Sequence, residues 1–301
     1  MPLYRVTHTT SYRHDTAASS AWQSLHLQPR HEATQHCSAF ELEIAPHPGD
    51  LAARVDFFGN KQHIFTLREA HVELSITSRS TVRRDEPLLP MPGLTPTLAE
   101  ARSLVPRAVA AEDFTLEQFR HSSPLVPLLP AARELTRELL AGLDSDNTPT
   151  LTWLAELGER FNTAFTFDSK ATEISTPLSQ VITTRRGVCQ DFAHLLISCL
   201  RLEGLPAAYV SGYLLTNPPP GKPRLIGADA SHAWVSVYIP STGWIDYDPT
   251  NACFVAAGHI VVARGRDFSD VSPVHGLFSG GGDHTLDTGV TVEPVESAGV
   301  S

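Results

Sequence analysis

The feature that most constrains this fold is an apolar helical pattern with a cysteine at its start. The pattern covers residues 189–204 and places its apolar side chains on one broad face, at Phe192, Leu195, Leu196, Cys199, Leu200 and Leu202. Gly204 is a natural end for such a helix. The periodicity then changes to two, which predicts strands at residues 206–215, 233–239 and 243–247. We therefore expect an α+β fold in which the helix bearing Cys189 packs on an antiparallel sheet.

Further helices and loops are predicted on both sides of this unit. Residues 131–143 and 149–161 have helical patterns, and residues 288–292 are a final strand candidate. The glycine-rich segment 278–283 is predicted to be a flexible loop, because no Lys-Ser or Lys-Thr follows it as in a phosphate-binding loop. The proline-rich segment 218–221 is predicted to be an exposed loop.

The first 84 residues have a different pattern, with short alternating segments rich in β-forming residues. Turn residues separate these segments, and Gly59-Asn60 is a hairpin signal. Strands at this spacing predict a β-sandwich-like domain, in which no chemistry is evident. The predicted strands are residues 3–12, 24–27, 37–44, 63–67 and 70–78.

Proline separates the two halves. Residues 85–130 contain eight prolines and only brief helical stretches, which predicts a semi-rigid, partly helical connector. The expected domains are residues 1–84, 85–130 and 131–301. In the last of these, the core is expected at about 150–270 and a tail at 271–301.

The composition disfavours several functional classes. The chain has 23 Lys and Arg against 33 Asp and Glu, a net charge of −10, so nucleic acids and anionic membranes are poor partners. It shows no apolar leader pattern and no run of about 18 apolar residues. We therefore expect a soluble, cytoplasmic protein.

The cysteines do not indicate a disulfide framework or a zinc ribbon. Cys37, Cys189, Cys199 and Cys253 are widely spaced and form no CxxC pair. His31, His36 and Cys37 are close in sequence, but a polar loop beside a strand edge explains them as well as a metal site does. We predict no metal and no cofactor.

Cys189 has the surroundings of a nucleophile. A thiol at a helix start lies beside unpaired backbone N–H groups and the positive end of the macrodipole, which favour the thiolate. A thiolate needs a base to take and return its proton, and that base needs a partner to fix its tautomer. His232 begins one predicted strand and Asp248 ends the next. Asp246 competes for the partner's role, although Pro249 favours a strand end at Asp248.

The pairing register of these two strands decides whether the triad is possible. The short segment 240–243 joins them, so they are expected to pair as a hairpin. If the numbers of opposed residues sum to an even number, His232 and Asp248 share a face and come within reach. An odd sum separates them, and the sequence does not choose between the two registers.

Each of these residues also has a structural explanation. A lone cysteine at a helix start is more often a small buried apolar residue, and a lone histidine is more often structural. We assign Cys199 and His194 to that class. Trp234 either belongs to the core or shields the thiolate from water. The order and flanks of Cys189, His232 and Asp248 make their combination more informative than any one of them.

Three blocks of the second half resemble the transglutaminase-like superfamily, whose catalytic Cys, His and Asp occur in this order in a papain-like fold. The blocks are GVCQDFAHL, ASHAWVSVYIP and GWIDYDPTN. Residues 259–268 look like the segment that follows the triad in bacterial members. The first 80 or so residues, with Leu27-Gln28-Pro29-Arg30 and Asp56-Phe57-Phe58-Gly59-Asn60, are similar to their β-rich N-terminal region.

The resemblance implies roles for individual residues. Cys189 matches the nucleophile, His232 the base and Asp248, rather than Asp246, the orienting acid. Asp191 matches a position expected to cap the helix entrance, and Trp234 one expected to shield the site. The Cys189 backbone N–H is one expected oxyanion donor, and the motifs identify no second one.

The chemistry implied is thiolate attack on an amide or peptide carbonyl, followed by resolution of a thioester. Water as the acceptor makes the protein a cysteine peptidase or amidase, and a primary amine makes it a transglutaminase. We expect hydrolysis, because no DxDxDG-like calcium loop is found. A peptide or protein amide is thus the expected substrate. The alternatives are amine transfer and a non-catalytic scaffold on the same fold, and the oligomeric state stays open.

Overall fold

The N-terminal region is built around one long strand. The computed structural model describes residues 2–111, 114–172, 176–216 and 231–295. Strand β1 is 23 residues long, and its first half lies between β5 and β14 while its second half lies between β4 and β13. The first five strands are β1 (Leu3–Leu25), β2 (Gln35–Ala45), β3 (Asp50–Val55), β4 (Lys61–Leu67) and β5 (His71–Arg84), and the last two are β13 (Val274–Gly280) and β14 (His284–Val295).

These seven strands form one antiparallel sheet whose two halves enclose a core. The order is β2-β5-β1-β4-β3, with β13 and β14 both paired to β1. Apolar residues of β2 and β5, such as Ile44 and Ile76, pack with Phe65 and Leu67 of β4. The expected β-rich domain is confirmed, with the sandwich-like packing produced by a single sheet.

Two predicted strands, residues 3–12 and 24–27, are parts of the same strand. The polar segment between them breaks the apolar alternation that a sequence pattern relies on. In the structure the register shifts between Arg13 and Ala18, and pairing with neighbours on both sides then resumes. Backbone pairing therefore continues the strand through residues that have no apolar side to bury.

The tail belongs to the N-terminal sheet and not to the second domain. Residues 271–301 were expected to end the second domain, but β13 and β14 pair with β1 along most of its length. The glycine-rich segment 278–283 is likewise not simply a loop, because β13 continues to Gly280. Gly281 and Gly282, both at positive φ, then form the turn into β14. The predicted strand at 288–292 is confirmed within β14.

The proline-rich connector is packed into the core. After a 3₁₀ turn at Pro92–Leu94, it forms helices α1 (Leu98–Ala111) and α2 (Phe114–Gln118). Leu98, Ala101 and Val126 are fully buried in the cluster that also contains the cysteine-bearing helix. The connector therefore packs against the second half, because apolar residues at helical spacing outweigh the interruptions by proline, one of which, Pro106, lies inside α1.

The second half has the expected helix on an antiparallel sheet, and the α+β prediction is confirmed. The sheet order is β11-β10-β9-β8-β12, and α6 packs on β8 and β9. The strands are β6 (Thr166–Phe167), β7 (Arg186–Gly187), β8 (Ala207–Leu214), β9 (Ser231–Ile239), β10 (Gly243–Asp248), β11 (Cys253–Phe254) and β12 (His259–Gly265). The helices are α3 (Pro130–Leu139), α4 (Thr150–Ala164), α5 (Leu178–Thr184), α6 (Cys189–Leu202) and α7 (Phe268–Val271).

Among the described residues, the structure adds to the predicted elements the helices α5 and α7 and the strands β3, β6, β7, β11 and β12. The predicted loop at 218–221 lies outside the described residues. No helix among the described residues is both long enough and apolar enough to cross a bilayer.

The two halves are joined by side chains of the first that bond to the edge strand of the second. Gln35 donates to the Val261 carbonyl at 2.7 Å and accepts from the Val261 N–H at 2.8 Å. Asn60 makes the same two bonds to Arg264, each at 2.8 Å. These amides replace the neighbouring strand that β12 lacks on that side, so the N-terminal region holds β12 in place.

Candidate active site

Cys189 is the first residue of α6 and is partly exposed. The preceding residue, Val188, has an extended backbone, which sets the sulfur at the helix entrance. Asp191 Oδ2 accepts hydrogen bonds from the Val188 N–H at 2.8 Å and the Thr172 hydroxyl at 2.5 Å, so Asp191 caps the helix. A Cβ at Gly187 would lie 2.9 Å from Asp191 Oδ2, which explains the glycine two residues before the cysteine.

The strand register brings His232 and Asp248 together. In the β9–β10 hairpin, Ile239 opposes Gly243 and Val235 opposes Tyr247, so opposed residue numbers sum to an even value. His232 and Asp248 therefore share a face, and His232 Nε2 lies 2.7 Å from Asp248 Oδ2. The hairpin thus has the even-sum register that the triad requires. Both side chains are nearly inaccessible, with 9% of the His232 side chain and 0% of the Asp248 side chain exposed.

Asp248 is a buried carboxylate with several donors. The backbone N–H groups of Thr250 and Asn251 donate to Oδ1 at 2.9 and 3.2 Å, and the Asn251 side-chain amide donates to Oδ2 at 2.6 Å. His259 Nε2 lies 3.2 Å from the same Oδ2. Burial alone raises the pKa of the Asp248 carboxyl, but the bonds from His232 and His259 outweigh it and hold that pKa well below its usual range.

His232 is placed to carry a proton between Cys189 and Asp248. Burial lowers its pKa, but hydrogen bonds to the Asp248 carboxylate and to Cys189 outweigh burial and raise the pKa of His232 to about 10. Because Nε2 bonds to Asp248, Nδ1 is the nitrogen left for the sulfur. The imidazolium is therefore the favoured form of His232 at neutral pH when a thiolate stands opposite.

Asp246, the competing carboxylate, is occupied by a different partner. Arg264 makes two bonds to it, each at 2.9 Å, and also bonds to Glu32 of the N-terminal region at 3.0 Å. Burial raises the pKa of Asp246, but the guanidinium outweighs it and lowers that pKa overall. Asp246 therefore belongs to an ion-pair network between the two halves of the molecule.

Trp234 lies between these two carboxylate networks. It is fully buried, and its indole N–H donates to Asp246 Oδ2 at 3.2 Å. Its ring meets His259 edge-on with centroids 5.3 Å apart and lies 6.1 Å from the His232 ring. Trp234 is therefore a core residue whose ring faces the two imidazoles, and its shielding role stays a prediction.

His259 is the residue of this site that sequence reasoning missed. It lies at the start of β12, and only the likeness of residues 259–268 to a family segment pointed toward it. His232, Asp248 and His259 have ligand atoms within 4.8 Å of one another, a spacing that a metal ion also accepts. However, Asp248 Oδ2 already has three donors, so we interpret the cluster as a hydrogen-bonded network.

The remaining candidate residues have structural environments. Cys199 is fully buried on the inner face of α6, and burial raises the pKa of its thiol to about 12. His194 is also buried and accepts the Phe268 N–H at 3.1 Å. The His31 and His36 Nδ1 atoms lie 3.0 Å apart, whereas the Cys37 sulfur donates to the Ala39 carbonyl.

Comparison with known proteins supports the family suggested by the sequence. Residues 4–83 match the model of the bacterial transglutaminase-like N-terminal region, and residues 136–249 match the transglutaminase-like superfamily. An uncharacterized protein of Mycobacterium tuberculosis is 41% identical over 97% of this chain and 93% of its own length. A protein-glutamine gamma-glutamyltransferase of Pseudomonas aeruginosa is 33% identical over 40% of this chain and 18% of its own length.

One solved structure shares the whole architecture. It is a Cytophaga hutchinsonii protein described as a candidate cysteine protease, it superposes with a TM-score of 0.75, and the match covers 99% of this chain and 92% of that one. At 18% identity this likeness supports the fold alone. Together with the two family matches, it leads to one conclusion: the chain belongs to the transglutaminase-like superfamily, with the N-terminal region of its bacterial members.

Proposed function

We propose that this protein is a thiol enzyme that cleaves amide or peptide bonds through a thioester intermediate, with water as the acceptor. Cys189 is the nucleophile, His232 the acid and base, and Asp248 the group that orients His232. The observation that carries the proposal is the 2.7 Å bond between His232 and a fully buried Asp248, with the Cys189 thiol as the other group that raises the pKa of His232. Such an arrangement is the one that nucleophilic catalysis by a thiol requires.

In the first half-reaction, the Cys189 thiolate attacks the carbonyl carbon of the substrate. A C–S bond forms, and the negative charge moves to the carbonyl oxygen. The Cys189 N–H lies in the first turn of α6, whose N–H groups have no acceptor within the helix, so we assign it as one oxyanion donor. The C–N bond then breaks, and the leaving amine takes the proton from His232.

In the second half-reaction, the neutral His232 takes a proton from water, and the resulting hydroxide attacks the thioester. The C–S bond breaks, so the acyl group leaves as a carboxylic acid and the thiolate is restored. His232 again holds the proton opposite it. Asp248 keeps its charge throughout, and its bond to Nε2 keeps Nδ1 directed at the reacting atoms.

A protein-glutamine transglutaminase is the second candidate. Here a primary amine replaces water as the acceptor, and His232 takes the proton from that amine. The partial similarity to the Pseudomonas aeruginosa gamma-glutamyltransferase favours this candidate. Hydrolysis is placed first because the sequence contains no DxDxDG-like calcium loop of the kind that would suggest calcium-dependent cross-linking.

The proposal is tested with a library of glutamine-containing peptides, incubated with and without a primary amine. Mass spectrometry is used to detect the acyl-enzyme, hydrolysed products and aminated products. Cys189→Ala is expected to abolish all three, whereas Cys199→Ala, which removes a buried thiol of the same helix, retains them. Hydrolysed products in the presence of amine support the first candidate, and aminated products support the second.

A scaffold without chemistry is distinguished by the thiol itself. At about pH 6, well below the pKa of about 8.5 of an ordinary cysteine, iodoacetamide alkylates an activated thiol rapidly and an ordinary one slowly. We expect fast alkylation at Cys189, located by peptide mapping, and none at Cys199. Slow alkylation of Cys189 in the folded protein would refute the enzymatic proposal.

A further inference from the structure

His259 is bound from both sides of its ring. Its Nδ1 accepts the Ala256 N–H at 3.3 Å, and its Nε2 lies 3.2 Å from Asp248 Oδ2. A neutral imidazole has one N–H and one acceptor nitrogen. Since Nδ1 is the acceptor, Nε2 carries the proton and donates it to Asp248. This tautomer follows from the network, because a backbone N–H cannot be an acceptor.

The turn that bears His259 is bonded to the N-terminal region. Arg84, the last residue of β5, donates to the His259 carbonyl at 3.0 Å and to the Thr34 hydroxyl at 2.6 Å. Glu86 accepts the Ala257 N–H at 2.9 Å. Arg84 is buried, so its two bonds hold the turn against the first sheet. A continuous set of contacts therefore runs from the N-terminal sheet to Asp248.

We propose that His259 is a positioning residue of the triad, and that the N-terminal region fixes it through Arg84 and Glu86. Asp248 Oδ2 receives bonds from His232 on one side and His259 on the other. If the carboxylate rotates to follow one imidazole, it weakens its bond to the other, so the pair restricts its orientation. The inference rests on the proposed function, and it gives the N-terminal region a role in the site.

Charged and titratable groups around His259 come from several elements. Asp248 accepts its proton, the His232 ring lies 6.2 Å away, and Cys253 opposes Asp248 in the adjacent strand. Arg84 and Glu86 reach only the backbone of the turn. Asp248 is thus the one carboxylate bonded to the His259 ring among the described residues, and a change at His259 acts on the triad through it.

The test compares His259→Leu with His259→Gln and uses alkylation of Cys189 by iodoacetamide as a function of pH. Leu removes the donor, and Gln keeps an amide N–H close to the position of Nε2. We expect His259→Leu to slow alkylation at about pH 6 roughly tenfold and to move the acid limb of the profile, where the rate falls as the thiolate is protonated, to higher pH. The reason is that Asp248, with one donor fewer on Oδ2, orients His232 less well. His259→Gln is expected to recover most of the rate.

His26→Leu is the matched control. His26 is also buried, and its Nε2 lies 3.2 Å from a carboxylate oxygen of Asp56, the same separation as in the His259–Asp248 pair. Its loss is expected to lower stability without moving the alkylation profile. Glu86→Gln weakens one bond to the turn, so it is expected to shift the profile in the same direction as His259→Leu, by a smaller amount.

The outcomes separate this inference from the proposed function. If wild-type Cys189 is unreactive, the proposed function fails and this inference falls with it. If wild-type Cys189 is reactive but folded His259→Leu has the same profile, or the same shift as His26→Leu, the positioning role is wrong. A shift of the acid limb of the His259→Leu profile to lower pH also overturns the positioning role. That result means that the bond from His259 mainly offsets the charge of Asp248 and does not orient it. If His259→Leu does not fold, the comparison of His259→Gln with His259→Asn, whose shorter amide falls short of Asp248, decides in the same way.

Discussion

Two carboxylates of strand β10 lie two residues apart on one face, and their partners differ in kind. Asp246 faces Arg264, which bonds to both of its oxygens and also to Glu32. Asp248 faces two imidazoles and an amide. A guanidinium keeps its proton at any ordinary pH, so the Asp246 pair is static. An imidazole exchanges its proton near neutral pH, so only the Asp248 end of the strand supports acid–base chemistry.

The difference shows that burial and a charged partner do not by themselves make a catalytic group. Asp248 is fully buried, Asp246 keeps only 11% of its side chain exposed, and both carboxyls have a lowered pKa. What separates them is whether the partner can release a proton toward a nucleophile. Asp246 and Arg264 instead join the second sheet to the N-terminal region, in a network that continues through Glu32 to Arg30.

The largest effect is expected from Asp248→Ala. Without the carboxylate, His232 loses both its orientation and the stabilisation of its imidazolium. Formation of the acyl-enzyme is expected to slow by roughly 10²- to 10⁴-fold, in line with removal of the orienting acid from other triads. The rate is measured by mass spectrometry of the acyl-enzyme with a substrate from the peptide library.

Asp246→Ala is the matched control for this change, because it removes a largely buried carboxylate from the same strand face. Its acyl-enzyme rate per folded molecule is expected to stay within a few-fold of wild type. The assignment of roles to the two carboxylates is reversed if Asp246→Ala loses the rate and Asp248→Ala retains it.

The next effect is a loss of stability expected when the ion-pair network of Asp246 is broken. Arg264→Met leaves Asp246 and Glu32 without their shared cation, and breaking a partly buried ion network on one side costs about 3 kcal/mol. We expect a loss of that order in the free energy of unfolding, measured with urea, with little change in the alkylation of Cys189 in the folded protein. A loss below about 1 kcal/mol would contradict this prediction, because it would mean that the network contributes no more than an ordinary surface ion pair.

The candidate triad could be proposed from the sequence because each of its residues has an informative local setting. Cys189 begins a strongly apolar helix, and His232 and Asp248 belong to one hairpin whose register needed only an even sum. The sequence could not choose the register, and side-chain alternation, which places Asp246 and Asp248 on the same face in either register, could not choose between the two carboxylates. The pairing of β9 with β10 gives the register. Arg264, which lies in β12 and is remote from the hairpin in sequence, is the partner of Asp246.

The missed features all depend on pairings between distant segments. His259 reaches Asp248 from β12, which lies beyond β8 in the sheet order, so no local pattern joins the two residues. The polar middle of β1 continues as a strand because the Asp15 and Thr16 N–H groups bond to the Asp283 and Gly281 carbonyls, and pairing with β5 and β13 is present from Ala18. Similarly, β14 resembles a separate tail until its pairing with β1 is seen. Sequence periodicity records which face is buried, but not which remote strand lies alongside.

A smaller effect is expected from the packing of β10, the strand that bears both carboxylates, against helix α4. Tyr247 lies between them in sequence and points to the opposite face of β10, where its ring packs on Gly158 of α4. A Cβ at Gly158 would overlap the Tyr247 phenol, so Gly158→Ala must displace the strand or the helix. We expect a loss of about 1–3 kcal/mol in the free energy of unfolding, typical of overpacking.

Gly49→Ala is the control for this change, because a Cβ there meets no atom within 4 Å. Its stability is expected to stay near that of wild type. If the contact with α4 also holds Asp248 in position, Gly158→Ala slows alkylation of Cys189 as well. A stability equal to that of Gly49→Ala would show that Tyr247 moves aside without cost.

The smallest effect is a pH dependence of the free energy of unfolding. It is expected from His232, the partner of Asp248, and not from Arg264, the partner of Asp246. We place it in a Cys189→Ser background, so that the thiol's own proton does not enter the count. His232 has a raised pKa, about 10 with the thiolate opposite and lower without it, so the folded state binds its proton more tightly than the unfolded state. Its contribution is therefore complete below about pH 6.5, the unfolded value, and is lost as the pH rises toward the folded value.

Urea unfolding at about pH 7 and pH 8.5 measures this loss. We expect the free energy of unfolding to fall by roughly 1–2 kcal/mol over this interval, since each pH unit is worth about 1.4 kcal/mol per proton. Adding His232→Gln is expected to flatten the dependence, whereas adding Arg264→Met lowers stability equally at both pH values because Arg264 does not titrate there. If the free energy of unfolding still falls between about pH 7 and pH 8.5 with His232→Gln, a group other than His232 binds the proton. The contrast between a titrating partner at Asp248 and a static partner at Asp246 is then wrong.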